Sequence, residues 1–135
     1  MKNPVLVDSN VLLDIITADP VWETWASDTL IKLLYEYKLV INPVIYAEVS
    51  IRFSTIEELE EAIPPSFFVR LPVPYEAAFL AGKCFMKYKE RGGIKTSVLP
   101  DFLIGAHASV LNIKLVTRDI SRYKTYFPKL ELIAP

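Results

Sequence analysis

Residues 5–14 read VLVDSNVLLD, a short apolar run followed by three polar side chains and then by a second apolar segment with helical spacing. Residues 5–7 are all apolar, which favours a strand that is buried on both faces. Asp8 or Ser9 is suited to cap a helix that begins near Asn10. The segment therefore predicts a strand-to-helix junction with an acid, Asp8, at the carboxyl end of the strand.

The same alternation of strand-like and helix-like segments continues along the chain. Asn42-Pro43 is typical of a helix start, and Gly92-Gly93 is typical of a helix end. Strands are predicted at residues 5–7, 39–41, 114–117 and 130–133, with an edge strand at 67–73. Helices are predicted from about 10, over 22–37, from 43, over 56–63, over 75–90, from 100 and over 121–126, with a polar loop at 94–98.

This pattern predicts an α/β fold of three αβα layers, in which helices cover both faces of a central, mainly parallel sheet of four to five strands. With 135 residues and no internal repeat or linker, the chain is expected to form one domain over residues 1–135. Open parallel sheets bind ligands beyond the carboxyl ends of their strands. We therefore expect the functional site at that edge.

Four acids lie where this edge is expected: Asp8, Glu48, Asp101 and Asp119. Each has an ordinary explanation by itself, as a helix cap, a surface pair with Arg52, an acid favoured by the helix dipole, or a turn residue. Brought together they would repel, because two like charges about 4 Å apart at an effective dielectric constant of ~20 cost roughly 4 kcal/mol. One or two Mg²⁺ or Mn²⁺ ions would relieve this repulsion.

The helix that carries Asp101 also contains small residues. Gly105 and Ala108 fall within about 40° of Asp101 around the helix axis, so we expect them to leave room for an ion and a phosphate. His107 is the only histidine and lies about 120° away from Asp101; it is expected to pack or to form a surface hydrogen bond instead of binding the ion. The single cysteine, Cys84, predicts neither a disulfide nor a thiolate metal site.

The net charge of −1 conceals an uneven distribution of charges. Residues 1–82 contain five Lys and Arg against twelve Asp and Glu, whereas residues 83–135 contain ten against four. A basic region around two suspected metal ligands suits a surface that binds a polyanion, although a solvated helix face is the alternative. The candidates for binding substrate are Arg118 and Arg122, which flank Asp119, and Lys95.

The motifs of the chain resemble those of PIN-domain nucleases, particularly the ribonuclease toxins of VapBC toxin–antitoxin modules. The resemblance rests on four motifs, LVDSNVLLD (6–14), NPVIYAEV (42–49), PDFLIGAHA (100–108) and LVTRDISRYKTYFP (115–128). It implies that the four acids named above form an acidic site for Mg²⁺ or Mn²⁺. It also implies that three polar residues orient the ligands or a phosphate around this site: Ser9, Asn10 and Thr117.

The resemblance further implies a metal-dependent endoribonuclease that leaves a 5′-phosphate and acts as the toxin of a type II toxin–antitoxin system. The implied partners are RNA, a cognate antitoxin whose tail lies in the site, and a second copy of the chain. A non-catalytic PIN-fold module that binds RNA or protein is the alternative. A response-regulator receiver or an aspartate phosphatase fits poorly, because the former needs an adjacent acidic pair and the latter a DxD motif.

The apolar content is high for a chain of this size, at 52% of residues and a mean hydropathy of +0.29, which suits contact with a partner. No apolar run approaches the ~20 residues that span a bilayer. Asp8 and Asn10 interrupt the region where a signal peptide needs an unbroken apolar segment. We expect a cytoplasmic protein without a membrane segment.

Overall fold

Strands and helices alternate along residues 1–95 and 97–135, which are the residues described by the computed structural model of this protein. The strands are β1 (Asn3–Val7), β2 (Tyr37–Ile41), β3 (Val69–Arg70), β4 (Lys114–Val116) and β5 (Leu132–Ile133). The helices are α1 (Ser9–Ile16), α2 (Glu23–Glu36), α3 (Pro43–Ser50), α4 (Ile56–Ala62), α5 (Tyr75–Glu90), α6 (Leu99–Leu111) and α7 (Ile120–Tyr126). Thr96, within the loop predicted at 94–98, lies outside the described residues.

The strands form one sheet in the order β3-β2-β1-β4-β5, and every neighbouring pair is parallel. Central strand β1 places Leu6 opposite Val40 of β2 and Leu115 of β4. The backbone N–H of Asp8 continues this pairing by donating to the carbonyl of Val116 at 2.9 Å. The predicted α/β fold with a parallel central sheet is confirmed, and the carboxyl ends of its strands meet at one edge.

Helices cover both faces of the central strand. Consecutive strand residues point to opposite faces, yet Val5, Leu6 and Val7 are all completely buried. This double burial explains why the strand sequence is apolar at every position instead of at alternate positions. Among the described residues, no helix combines the length and the apolar character required to cross a lipid bilayer.

Local sequence signals place the helix ends correctly. The side chain of Asn42 accepts a hydrogen bond from the backbone N–H of Ile45 at 2.9 Å, and Pro43 follows as the first residue of α3. Helix α5 ends beside Gly92, whose φ of +86° favours glycine. Each of these signals is a short-range steric or hydrogen-bonding preference, so it survives in the folded chain.

The two outer strands are shorter than predicted. The expected edge strand at 67–73 contracts to Val69–Arg70, because the backbone N–H groups of Phe67 and Phe68 both bond to the carbonyl of Pro64 at 3.0 Å in a turn. Pro72 then ends the pairing, since proline has no N–H to donate. The last strand, expected at 130–133, begins only at residue 132, because the N–H of Leu130 bonds back to Phe127.

The expectation that Gly105 and Ala108 leave room for an ion is wrong. Both residues are buried, and a Cβ added to Gly105 would lie 2.4 Å from Cε2 of Phe127 and 3.0 Å from Cδ1 of Tyr123. The space beside Gly105 is therefore filled by two aromatic rings from α7 and the residue that follows it. The glycine allows α7 to approach α6 closely, which carries Tyr123 toward the carboxyl edge of the sheet.

We expect Gly105→Ala to lower the free energy of unfolding by about 1–3 kcal/mol, because the new methyl group overlaps a buried ring that has little space to move. Gly82→Ala is the matched control on α5, since a Cβ there meets no atom within 4 Å and the substitution should stabilise the helix by about 0.5–1 kcal/mol. Urea unfolding of both variants checks this. Similar stabilities for the two variants would contradict the packing described here.

Candidate active site

Asp8 is a buried carboxylate at the carboxyl end of the central strand, with an exposed fraction of 2%. Its Oδ2 accepts hydrogen bonds from the hydroxyls of Thr117 at 2.9 Å and Tyr123 at 2.8 Å. Asp8 occupies the N-cap position of α1, but its side chain makes no capping hydrogen bond. The ordinary explanation of this acid as a helix cap is therefore not realised. Its Oδ1 accepts a longer hydrogen bond, from the hydroxyl of Ser9 at 3.4 Å.

Burial raises the pKa of Asp8 above its ordinary value, because it removes water from the charged form. The hydrogen bonds from Tyr123 and Thr117 lower this pKa in part, and the negative charge of Asp101 raises it. The charge of Asp101 therefore interacts with the carboxylate of Asp8, although the two residues are far apart in the chain.

Glu48 joins this group from α3. Its Oε1 accepts a hydrogen bond from the hydroxyl of Ser9 at 2.8 Å, so the side chain turns toward α1 and not toward Arg52. Burial is the main cause that raises the pKa of Glu48; the bond from Ser9 lowers it, and the charges of Asp101 and Asp8 raise it further. Three acids from separate elements therefore act on one another.

Asp101 and Asp119 are linked through a cation, Arg122. The Nη1 of Arg122 donates to Oδ2 of Asp101 and lies 3.8 Å from Oδ2 of Asp119. Burial raises the pKa of Asp101, Arg122 opposes this rise, and the charge of Asp119 adds to it. The structure thus brings the four predicted acids to one edge of the sheet and places a guanidinium between two of them.

The three predicted orienting residues lie among these acids. Asn10 donates from Nδ2 to the hydroxyl of Thr117 at 3.2 Å and, more distantly, to Asp8 at 3.4 Å. Thr117 also accepts the backbone N–H of Asp119 at 3.0 Å. Together with Ser9, these residues connect the start of α1 to the end of β4. Their role in orienting ligands or a phosphate stays a prediction.

Of the candidate substrate residues, Arg118 is held by a partner that the sequence pattern did not identify. Its guanidinium donates to both carboxylate oxygens of Asp14, at 2.6 and 3.1 Å, and lies over the ring of Trp22. Asp14 is 3% exposed, so the guanidinium of Arg118 also compensates the charge of a buried carboxylate. Lys95 lines a cavity of about 270 Å³ whose walls include Asp119 and Arg122. Contact of these residues with substrate stays a prediction.

Tyr123 is the site residue that sequence reasoning missed. It lies four positions after Asp119. This spacing puts two side chains on one helix face, so the sequence pattern could have identified Tyr123 as a site residue. His107 behaves as expected: it is fully buried, and its Nδ1 lies 2.9 Å from Nδ2 of Asn42. Burial lowers the pKa of His107, which favours a neutral ring.

The carboxylate oxygens at this edge are the donor type that Mg²⁺ and Mn²⁺ prefer, so the residues fit such an ion chemically. In residues 1–95 and 97–135, however, no set of three or more His, Cys, Asp or Glu side chains is arranged to hold a metal ion. Two of the acids are instead engaged by neighbouring side chains, since Arg122 donates to Asp101 and Ser9 donates to Glu48.

Comparisons with known proteins agree with this architecture. A family profile of the PIN domain matches residues 5–128. VapBC2 from Rickettsia felis, bound to a DNA fragment from its promoter, superposes with a TM-score of 0.74 at 21% identity over 98% of each chain. VapBC-1 from nontypeable Haemophilus influenzae gives 0.72 at 19% identity over 97% of each chain. A toxin–antitoxin complex from Klebsiella pneumoniae gives 0.68 at 20% over 97% of each. No curated protein sequence matches this chain significantly.

We expect Tyr123→Phe to destabilise the metal-free protein most strongly at high pH. The hydroxyl favours ionised Asp8, so its loss raises the pKa of Asp8 further. A carboxyl whose pKa is raised by folding costs stability as the pH rises through that pKa. The free energy of unfolding should fall by about 1–3 kcal/mol near pH 8 and by less near pH 4.

Chemical unfolding at both pH values checks this prediction. Tyr126→Phe on the same helix is the control, because the hydroxyl of Tyr126 makes no hydrogen bond within the described residues; this variant should show no pH-dependent deficit. An equal deficit for Tyr123→Phe at the two pH values would exclude an effect through the ionised carboxylate.

Proposed function

Because this chain belongs to the PIN-domain family, we propose that it is a metal-dependent endoribonuclease of the VapC type, the toxin component of a type II toxin–antitoxin system. The family predicted from the four sequence motifs is confirmed by the match over residues 5–128. PIN-domain toxins are generally nucleases, and PIN-domain nucleases generally use divalent metals. This chain has the acids that such an activity requires.

The observation that carries the proposal is the electrostatic coupling of Asp8, Glu48 and Asp101. All three have pKa values raised by burial, and each of the first two is raised further by the charge of Asp101. A fold gains nothing in stability from gathering like charges at a partly buried edge. Acids with perturbed pKa values that gather in one place are typical of a catalytic or ion-binding site.

We assign the metal ligands to Asp8, Glu48, Asp101 and Asp119, which would hold one or two ions. A divalent cation bound there would supply a Lewis acid that favours attack of water on phosphorus. Thr117 and Tyr123 donate to Oδ2 of Asp8 and so fix the orientation of this carboxylate. Ser9 donates to Oε1 of Glu48 and so holds this side chain at the site. Asn10 and Thr117 keep the two sides of the site together.

We propose RNA as the substrate because basic residues from the C-terminal part of the chain lie beside the acids. Lys95 and Arg122 border the cavity beside Asp119, and Arg118 lies at the end of β4. Such residues bind phosphates and position the strand without reading its sequence. The 5′ products would carry the phosphate, as the family resemblance implies.

We propose a cognate antitoxin and a second copy of this chain as partners, and a cytoplasmic protein built as one domain over residues 1–135. The Klebsiella neighbour is a toxin–antitoxin complex, and the Rickettsia neighbour is VapBC2. Large apolar side chains are exposed on two helices, which suits protein contacts. They are Ile31 and Tyr35 on α2, and Tyr75, Phe79 and Met86 on α5.

A non-catalytic binding module with the same fold is the second candidate. The pairing of Arg122 with Asp101 favours it, because a carboxylate already neutralised by a guanidinium needs no metal. This candidate predicts binding of RNA or protein that is independent of metal and insensitive to Asp101→Asn. The first candidate predicts the opposite on both counts.

The central test incubates purified protein with total RNA, with and without Mn²⁺, and maps the new 5′ ends. We expect fragments only with the metal, and Asp8→Asn or Asp101→Asn should reduce their rate by roughly two orders of magnitude or more, since each removes a ligand charge. Asp28→Asn, on the exposed face of α2, is the control and should cut at the parental rate. Parental cutting by both site variants would place the active site elsewhere.

We also expect Lys95→Glu to weaken RNA binding and to flatten its dependence on salt. Loss of one phosphate contact lowers the slope of log Kd against log salt by about 0.7 for a single strand. Lys38→Glu is the control because Lys38 lies near the amino end of β2, at the opposite edge of the sheet. Affinity measured over a salt series decides this, and identical slopes for the two variants would remove Lys95 from the substrate path.

A further inference from the structure

We propose that Arg122 is an internal counter-ion of the acidic site, which occupies Asp101 and Asp119 until a divalent cation displaces it, and which thereby sets the metal affinity of the protein. This inference rests on the proposed metal-dependent function. It adds a competition between a side chain and the metal, and it makes the phosphate-binding role of Arg122 conditional on the metal being bound.

The first argument is charge. A guanidinium stays protonated and offers only donors, and that of Arg122 meets the carboxylates of both Asp101 and Asp119. Its positive charge opposes the rise that burial produces in the pKa of Asp101. Arg122 thus supplies the compensation that a bound cation would supply to the same two acids.

The second argument is exclusion. The carboxylate oxygen of Asp101 that faces Arg122 is engaged as an acceptor, so an ion that binds this oxygen competes with the guanidinium for it. A divalent ion beside the guanidinium would also place two cations against each other. Because Arg122 lies against both Asp101 and Asp119, displacement of its guanidinium would relieve this repulsion when the two acids bind an ion.

The third argument is freedom to move. The side chain of Arg122 is 35% exposed and lies in the wall of the cavity of about 270 Å³ that Lys95 also lines. Arg118 is equally exposed but provides a contrast, because two hydrogen bonds to buried Asp14 and the ring of Trp22 hold its guanidinium in place. A displaced Arg122 would enter a cavity that already carries a second cation, which is a suitable place for a phosphate.

The test compares the binding of Mn²⁺ to metal-free parent protein, Arg122→Gln and Arg122→Lys by isothermal titration calorimetry. We expect Arg122→Gln to bind Mn²⁺ about tenfold more tightly, since the ion no longer displaces a charge, and Arg122→Lys to stay closer to the parent. Lys95→Gln is the control: it removes a positive charge from the same cavity but leaves the acids' own contacts intact, so its affinity should change by less than about twofold.

A second measurement needs no variant to fold. In the parent protein labelled with ¹⁵N-arginine, the Nε–Hε resonance of Arg122 should shift when Mg²⁺ saturates the site, whereas that of Arg118 should not. Equal Mn²⁺ affinity of parent and Arg122→Gln, or an Arg122 resonance unmoved by bound Mg²⁺, would overturn the inference. If the parent still cuts RNA in that case, the proposed function stands; absence of Mn²⁺ binding by every protein would overturn both.

Discussion

A buried carboxylate at the end of the central strand is the constraint around which this protein is organised. Asp8 is 2% exposed, and a charge in that position needs hydrogen-bond donors from its surroundings. The hydroxyls of Thr117 and Tyr123 provide them, which ties β4 and α7 to β1. The close approach of α7 to α6 in turn requires glycine at position 105. The contacts of one acid thus join three elements of the fold at this edge of the sheet.

At this edge of the sheet, the gathering of acids that suits ion binding also lowers the stability of the metal-free protein. Each further acid raises the pKa values of its neighbours, so the metal-free site is electrostatically unfavourable when ionised. The chain reduces this cost internally through Arg122, which pairs with two of the acids. The fold therefore tolerates a cluster of carboxylates without an ion, and any cation that binds there does so against a competitor of the same charge sign.

Much of the fold and the location of the site follow from local patterns. Apolar runs at residues 5–7, 39–41 and 115–116 predict the three central strands, because double burial requires apolar side chains on both faces. The acids after these strands must then meet, since parallel strands end at a common edge. The lengths of β3 and β5 were predicted less well. Backbone N–H groups that a longer strand would use donate instead to the carbonyls of Pro64 and Phe127 in turns.

The sequence by itself determined the elements, the parallel character of the sheet and the edge at which Asp8, Glu48, Asp101 and Asp119 gather, because each of these depends on short-range preferences and on burial. Only the tertiary structure decided which side chains pair: Tyr123 with Asp8 across 115 positions and Arg118 with Asp14 across 104, and Arg122 with Asp101. Such partners depend on how closely helices pack. The close packing of α7 against α6 depends on the absence of a side chain at Gly105.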